Sequence, residues 1–292
     1  MLIQEQIDFY HENGYLGVEN VLSDLEISDL RRVTAEFVEK AREVTEHTNI
    51  FDLEPGHTAE SPRVRRIKSP AAHHTVYDQT LRHEGILDIV EQLIGPGLRY
   101  NGHKLNMKYP EFGSPVEWHQ DWAFYPHTND DLLAVGVAID DMTVENGCLM
   151  VIPESHKGPT YDHHQNGVFI GAVTDPSFKT DNAVQVEVPA GGISIHHVRT
   201  LHGSYPNTSP NPRRLLLFQY CALDAWPLTG ADWEVFNDYI LRGEPTQDIR
   251  MTAAPVRMPR PYAERGGSIY EVQSLMENPI LRGQPAEKSL RV

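Results

Sequence analysis

The stretch WHQD, residues 118–121, decides what fold and site we expect, together with LHGS, residues 201–204. In an extended segment residues i and i+2 point to the same face, so His119 and Asp121 are directed at one point. His202 can add a second imidazole from another strand. Two imidazoles and one carboxylate form the 2-His-1-carboxylate set of non-haem Fe(II) oxygenases, which leaves open positions on the metal. The two segments therefore predict an iron site formed by His119, Asp121 and His202.

An arginine pair lies close behind the second segment. Arg213 and Arg214 precede a mostly apolar run at residues 215–220. An arginine that enters an apolar strand needs an anionic partner, and a guanidinium binds a carboxylate through two parallel hydrogen bonds. Arg213 is therefore a candidate for binding the carboxylate of a cosubstrate, while Arg214 faces the other way. The alternative is that either arginine meets solvent at the sheet edge.

Composition and charge exclude several classes of protein. The chain has 292 residues, of which 40% are apolar and 23% charged, as in an ordinary globular protein. Its net charge of -16 argues against a nucleic-acid partner. We see no signal peptide and no apolar run near the roughly 18 residues of a membrane span. The only cysteines are Cys148 and Cys221, too few for a disulfide framework, so we expect a cytoplasmic protein. We further expect a small-molecule substrate and no membrane partner. The sequence indicates no oligomeric state.

The N-terminal part alternates helical and extended patterns. We predict a helix over residues 4–13 that Gly14 ends, a strand over 15–18, and a helix opened by the capping box of Ser23 and Glu26. Residues 86–94 predict another amphipathic helix. Residues 49–69 are polar and interrupted by Pro and Gly, so we interpret them as a loop. That loop carries a basic run, formed by Arg63, Arg65, Arg66 and Lys68.

From residue 98 onward the pattern changes to short strands. We predict them at residues 98–109, 132–139, 148–152, 184–188, 193–196 and 214–222. Many short strands separated by Pro, Gly and Asn indicate a sandwich or closed barrel. Residues 154–182 form a long polar stretch that we interpret as a functional or mobile loop. A helix is predicted over 231–241, and the tail from residue 250 shows little periodicity.

At these residues the chain resembles the phytanoyl-CoA dioxygenase family of Fe(II)/2-oxoglutarate-dependent oxygenases. HQD at 119–121 with FYP at 124–126 is similar to that family's metal-binding segment. ENGCL at 145–149 and IPESHKG at 152–158 are similar to a second signature, although Glu154 stands where Gly is usual. His202-Gly203-Ser204, Asn207 and Arg213 fit its distal end, and FYHENGYLGVENVLS at 9–23 fits its opening. The resemblance spans about residues 5–225.

The resemblance implies a mainly β fold with flanking helices, a double-stranded β-helix (jelly roll, cupin-like). It divides one oxygenase domain, 1–292, into N-terminal helices at about 1–97, a jelly-roll core at about 98–224, and a C-terminal helix and tail at about 225–292. It implies the cofactors Fe(II), 2-oxoglutarate and O₂, with succinate and CO₂ as products. The residues that it assigns are His119, Asp121 and His202 for iron, Arg213 with Ser204 for 2-oxoglutarate, and Gln120 and Lys108 near cosubstrate or substrate. For Gln120 and Lys108 a surface or supporting role is equally consistent.

Related halogenases lack the carboxylate that Asp121 supplies, so its presence favours hydroxylation. Lys104, Lys108 and the basic run favour an anionic substrate, first an organophosphonate such as 2-aminoethylphosphonate. An acyl-CoA or a natural-product intermediate is the alternative substrate, and a solvated loop is an equal alternative for the basic run. A zinc hydrolase would also use three N/O ligands, but it offers Arg213 no role. A non-catalytic, cupin-like metal-binding protein is the alternative from another class.

The sequence leaves open the roles of several other side chains near these motifs. Alternation along a strand puts at most one of His196 and His197 inward. His163 and His164 lie in the long loop, where such a pair is more often exposed than in contact with substrate. The aromatic residues after the HxD segment either pack in the core or form a wall of the substrate pocket; they are Trp122, Phe124 and Tyr125.

Overall fold

A computed structural model describes residues 1–110, 113–263 and 268–282 of the chain. Its helices are α1 (Gln4–Asn13), α2 (Asp24–Lys40), α3 (Thr75–Leu81), α4 (Glu84–Ile94), α5 (Trp233–Asn237) and α6 (Ile269–Gln273). Its strands are β1 (Tyr15–Val18), β2 (Phe51–Leu53), β3 (Val64–Lys68), β4 (Leu98–Lys108), β5 (Val116–His119), β6 (Leu132–Ala138), β7 (Leu149–Val151), β8 (His164–Gln165), β9 (Val168–Phe169), β10 (Val184–Val186), β11 (Ile193–His197), β12 (His202–Ser204), β13 (Arg213–Ala222) and β14 (Ile240–Arg242).

Two antiparallel sheets enclose a central cavity. The large sheet has the order β1-β11-β6-β13-β4-β3-β2, with β14 also paired to β4, and the small sheet has the order β10-β7-β12-β5. Side chains of both sheets line the same cavity, Leu215 and Leu217 from β13 and Leu149 from β7 among them. Two facing sheets of short antiparallel strands, not closed into a barrel, confirm the predicted jelly-roll class.

The helices cover the outer face of the large sheet. Leu30, Val33 and Phe37 of α2 form one core with buried residues of α4 and of the central strands β6 and β13. The predicted starts and stops are confirmed: Gly14 ends α1 with a left-handed φ of 79°, and Ser23 and Glu26 form the capping box of α2. This apolar layer leaves the opposite face of the large sheet free to carry polar side chains into the cavity.

The prediction of a loop over residues 49–69 is wrong, because β2 and β3 extend the large sheet there. Phe51 and Ile67 pair across the two strands and are buried. The charges that made the stretch look like a loop are directed into the protein: Lys68 pairs with the buried carboxylate of Asp52 at 2.7 Å, and Arg66 lies 3.8 Å from it. The first 97 residues thus contribute strands as well as helices to the core sheet.

The predicted long loop at 154–182 is well packed. It contains the short hairpin β8–β9, and its backbone binds the site strand, since the Val173 N–H donates to the Trp118 carbonyl at 2.8 Å. His163 and His164 are buried, so the expectation of an exposed pair is wrong. Glu154, at the position where the family usually has Gly, has a φ of 63°. That left-handed backbone explains why glycine is usual there.

The C-terminal part differs from the prediction. Only residues 233–237 of the predicted helix 231–241 are helical, and 240–242 form a strand that pairs with β4. Helix α6 was not predicted, although Ser268 and Glu271 form a capping box before and inside it. The parts of the predicted tail at 264–267 and 283–292 lie outside the described residues. Among the described residues, no helix is long and apolar enough to cross a membrane.

Candidate metal and cosubstrate site

Three residues in the cavity bring metal-ligand atoms together. His119 ends β5 and stands directly opposite His202 of β12 in the antiparallel register. Gln120 is extended, so Asp121 returns to the same face in the turn that follows. One ligand atom from each of His119, Asp121 and His202 lies within 4.8 Å of the others. Strand β12 is an inner strand of the small sheet, between β7 and β5, so His202 is held on both sides.

The backbone fixes which imidazole nitrogen faces the cavity. The Nδ1 of His119 lies 2.8 Å from the Glu117 carbonyl, and the Nδ1 of His202 lies 2.9 Å from the Thr200 carbonyl. Each Nδ1 therefore carries the proton and donates it, which leaves both Nε2 atoms free as acceptors. In known metal sites, a hydrogen bond from the other ring nitrogen to a carbonyl or carboxylate orients the metal-binding histidine in the same way. The donor set of two neutral imidazoles and one carboxylate fits Fe(II) with open positions.

The electrostatics keep these groups in the protonation states that a divalent cation needs. Burial lowers the pKa of His119 to about 4 and holds that of His202 well below its usual value. Burial alone would raise the pKa of Asp121, but the neighbouring His196, His202 and Lys104 bring it well below its ordinary range. At neutral pH the three groups are two neutral imidazoles and one carboxylate, so no proton has to leave before a metal binds.

A buried arginine faces the same cavity without a partner. Arg213 is 3% exposed, and it forms no hydrogen bond or ion pair with the residues that the structure describes. Its neighbour Arg214 points the other way, as predicted, and binds Asp140 through Nε and Nη2 at 2.8 and 2.6 Å. Because a buried unpaired charge is costly, Arg213 fits the carboxylate of 2-oxoglutarate. The alternative that Arg213 caps the sheet edge toward solvent is excluded by its burial.

Lys108 and Ser204 lie beside this arginine. Lys108 pairs with Arg213 in the β4–β13 register, and its Nζ donates to Ser204 Oγ at 2.7 Å and to the Tyr205 carbonyl. Burial and the charge of Arg213 hold the pKa of Lys108 well below its usual value. Gly147 of the ENGCL motif allows this approach, since a Cβ there would lie 2.3 Å from the Tyr205 carbonyl oxygen. The cluster bridges the two sheets and can receive one carboxylate.

Gln120 does not face the cavity, which corrects the prediction of a contact with cosubstrate or substrate. Its amide donates to the carbonyls of Pro159 and Arg199 and accepts the N–H of Tyr161. Its own N–H donates to His163 Nε2 at 2.9 Å. Gln120 therefore ties the long loop to the metal-binding segment, which is the supporting role left open by the sequence.

A second, wider cavity of about 730 Å³ adjoins the metal site. Lys104 and Asp121 line both spaces, so the outer cavity leads directly to the ligand cluster. Arg66, His103 and Tyr125 add polar groups to its wall, and Phe124 and Phe169 supply an apolar side. Of the aromatic residues after the HxD segment, Trp122 is core, whereas Phe124 and Tyr125 form the wall.

Lys104 is the unpaired cation of this outer wall. It is half-buried, and among the described residues it has neither a hydrogen-bond nor an ion-pair partner. Burial, followed by repulsion from Arg66, lowers its pKa to about 8. The lysine is therefore mostly protonated at neutral pH and can receive an anion.

One wall of the site, formed by α6, was not predicted from the sequence. Ile269 of α6 lines both cavities, and Tyr270 stacks with the guanidinium of Arg65 at 5.0 Å. Gln273 accepts the Glu117 N–H, and the buried Glu117 carboxylate accepts the N–H groups of residues 280–282. The capping box of Ser268 and Glu271 was the available signal, but a helix of five residues is too short for periodicity to appear.

Comparison with known proteins agrees with this geometry. The sequence profile of the family described as Phytanoyl-CoA dioxygenase (PhyH) matches residues 10–215. A probable α-ketoglutarate-dependent hypophosphite dioxygenase of Stutzerimonas stutzeri is 34% identical over 279 residues, which cover 93% of this chain and 97% of the relative. A methylphosphonate hydroxylase of Gimesia maris is 28% identical over 76% of this chain and 82% of its own length.

A solved structure shows the same fold. The non-haem α-ketoglutarate-dependent carbocyclase SnoK from nogalamycin biosynthesis superposes with a TM-score of 0.64 at 26% identity, over 84% of this chain and 94% of SnoK. The profile match, the relative from Stutzerimonas stutzeri and the His-Asp-His cluster lead to one conclusion. The chain belongs to the phytanoyl-CoA dioxygenase family of Fe(II)- and 2-oxoglutarate-dependent dioxygenases.

Proposed function

We propose that this dioxygenase hydroxylates a small phosphorus oxyanion, first an organophosphonate such as 2-aminoethylphosphonate. In that reaction 2-oxoglutarate, O₂ and a substrate C–H give succinate, CO₂ and the hydroxylated product. The observation that carries the proposal is Lys104, a cation on the wall that leads to the metal ligands, with no hydrogen-bond or ion-pair partner in the part of the chain that the structure describes. An oxyanion provides the charge that this side chain lacks.

The metal and cosubstrate residues have separate roles in the proposal. His119, Asp121 and His202 hold Fe(II), which supplies the oxidising chemistry together with 2-oxoglutarate and O₂. Arg213 binds the distal carboxylate of 2-oxoglutarate, and Lys108 and Ser204 stand beside it. The apolar side chains Leu149, Leu215 and Leu217 line this inner space and keep water away from it.

The substrate side is supplied by the large sheet. Lys104 contacts the oxyanion, while Arg66 raises the local positive potential although it is partly neutralised by Asp52. Phe124 and Phe169 meet the apolar carbon of the substrate. A net charge of -16 repels anions at long range, so a local cationic wall is needed to select one.

A second candidate substrate is hypophosphite, whose P–H bond would take the place of a C–H bond. It is favoured by the relative from Stutzerimonas stutzeri, whose name states this activity and which aligns over nearly the whole of both chains. The same cationic wall suits both oxyanions. The alternative is a larger substrate, such as an acyl-CoA or a natural-product intermediate. The outer cavity of about 730 Å³ has room for a larger ligand.

We also propose that residues 1–292 form one oxygenase domain and that the protein works in the cytoplasm. Support for the first comes from strands β1–β3, which pair with the core sheet although they precede residue 97. Support for the second comes from Cys148 and Cys221, which are free and buried and suit a reducing compartment.

The test is a substrate panel with purified enzyme, Fe(II), 2-oxoglutarate and O₂. The panel contains 2-aminoethylphosphonate, methylphosphonate and hypophosphite, and a neutral amino alcohol serves as the matched control without the oxyanion. Succinate release and ³¹P NMR of the products are measured together. We expect a phosphorus oxyanion to stimulate succinate release and to give an oxygenated phosphorus product. If the neutral amino alcohol stimulates succinate release as strongly as the phosphorus oxyanions, the proposal of an oxyanion substrate is wrong.

A further inference from the structure

A third buried histidine, His196, packs against His202 but does not belong to the cluster of ligand atoms from His119, Asp121 and His202. His196 of β11 is 3% exposed, and its ring centre lies 4.1 Å from that of His202. Neither ring nitrogen of His196 has a hydrogen-bond partner among the residues that the structure describes. A buried imidazole without partners is unfavourable relative to a satisfied one, so this position calls for an explanation other than packing.

The carboxylate of Asp121 has two different sides. Its Oδ1 faces the metal-ligand imidazoles, at 3.7 Å from His119 Nε2 and 3.9 Å from His202 Nε2. Its Oδ2 faces away from them, at 3.6 Å from His196 Nε2. An ion bound among the three ligands would therefore meet Oδ1, while Oδ2 lies on the side of His196. This difference between the two oxygens follows from the position of β11 on the opposite sheet.

We propose that His196 is a positioning residue that holds Asp121 to the metal through one oxygen. A small rotation of either side chain brings the Nε2–H of His196 within hydrogen-bonding distance of Oδ2. That bond occupies Oδ2 and leaves Oδ1 alone to bind the metal.

One-oxygen binding matters because of the number of ligand positions. Two imidazoles and one carboxylate oxygen would leave open positions on Fe(II) for the cosubstrate and for O₂. A second oxygen from Asp121 would take one of these positions. By holding Oδ2, His196 would keep that position open, and it would act through Asp121 rather than as a ligand.

The competing explanations are weaker on this geometry. His196 is not a fourth ligand, since it faces the outer oxygen of Asp121, and the ligand atoms that cluster belong to the other three residues. His197 shows the contrast: its Nδ1 accepts the Arg199 N–H, so it has a structural partner, and it does not line the cavity. This role of His196 rests on the proposed metal assignment of His119, Asp121 and His202, and it holds whichever substrate is oxidised.

The test compares His196→Leu, which removes the donor, with His196→Gln, whose amide can still donate to Oδ2, and with His197→Gln as the neighbouring control. Fe(II) affinity is measured anaerobically by titration, together with the visible band of the Fe(II)–2-oxoglutarate complex. We expect His196→Leu to lower metal affinity by about 10- to 100-fold, as loss of outer partners does elsewhere, and to shift the band. His196→Gln should recover most of both, and His197→Gln should match the wild type.

Two results would overturn the inference. One is wild-type affinity with an unshifted band in His196→Leu. The other is His196→Gln being as impaired as His196→Leu while both are folded by circular dichroism. If the leucine variant does not fold, His196→Asn replaces it, because the shorter amide cannot reach Oδ2.

Discussion

The small sheet and the large sheet face each other across the site and bring different chemistry to it. Strands β5 and β12 supply neutral imidazoles that stand opposite each other in register. Strands β4 and β13 supply cations, of which Arg213 and Lys104 have no hydrogen-bond or ion-pair partner among the described residues. The sequence already pointed to the ligand candidates and to Arg213 and Lys104, whereas the lack of partners for these two cations is seen only in the structure, among the described residues.

The comparison also separates two demands on the same cavity. In the proposed function the small sheet holds the metal, which needs neutral nitrogen donors and one carboxylate. The large sheet there holds anions, which need cations that the protein itself does not neutralise. Arg213 and Arg214 show the second demand within one strand, because Arg214 is paired with Asp140, whereas Arg213 has no such partner in residues 1–110, 113–263 and 268–282.

The largest effect is expected on the metal side. Asp121→Asn keeps the shape of the side chain but removes the anionic ligand, so Fe(II) binding and hydroxylation should both fall below detection. Metal content after anaerobic loading and substrate-stimulated succinate release measure this. Thermal unfolding of the metal-free protein is the control and should change little. Turnover near the wild-type level in this variant would mean that Asp121 is not a ligand.

The next effect is on the cosubstrate. Arg213→Ala should raise the 2-oxoglutarate concentration needed for half-maximal succinate formation by about 30-fold or more, since loss of a buried charged contact costs about 2–5 kcal/mol. Arg214→Ala is the matched control: it breaks the pair with Asp140 and should lower stability without changing this requirement. Equal requirements in the two variants would place the carboxylate on another residue.

A smaller effect is expected on the substrate side of the large sheet. Lys104→Met should raise the KM for the anionic substrate by about 10- to 100-fold, because a hydrogen bond to a charged group contributes about 1.5–3 kcal/mol. The 2-oxoglutarate requirement should stay unchanged. Lys179→Met, at an exposed position, is the control. A rise in the 2-oxoglutarate requirement instead of the substrate KM would move Lys104 to the cosubstrate site.

The smallest effect is a pH dependence. Burial lowers the pKa of Lys104 to about 8, and only the protonated amine attracts an anion. The kcat/KM for the anionic substrate should therefore be retained below about pH 8 and fall as pH rises through it. Lys104→Arg keeps its charge in this range and should lose that fall. A pH profile with the same fall in both proteins would assign it to another group.

The spacing of the HxD segment could be interpreted from the sequence because the direction of side chains along a strand depends only on residues close in sequence. His119 and Asp121 share a face through the period of two, and Arg213 was conspicuous before an apolar run. The capping box of Ser23 and the stop at Gly14 were predictable for the same reason, since each depends on residues close in sequence. The family resemblance supplied the jelly roll that connects these distant segments.

The rest depends on contacts between segments far apart in the chain. Arg66 and Lys68 looked like a solvated loop because their partner, the buried Asp52, lies on a neighbouring strand. Gln120 was a candidate for a contact with cosubstrate or substrate, but the backbone of the distant loop binds its side-chain amide. Alternation allowed one of His196 and His197 to point inward but could not choose between them, since the pairing register of β11 decides it.

The central claim is that the two sheets together bind Fe(II) and 2-oxoglutarate in one site. It is tested most directly by anaerobic addition of Fe(II) and 2-oxoglutarate to the purified protein, followed by visible absorption. The account predicts a weak metal-to-ligand charge-transfer band in the wild type that is abolished in His119→Ala and in His202→Ala. A normal band in both variants would contradict the account, because the cosubstrate-bound metal would then lie elsewhere.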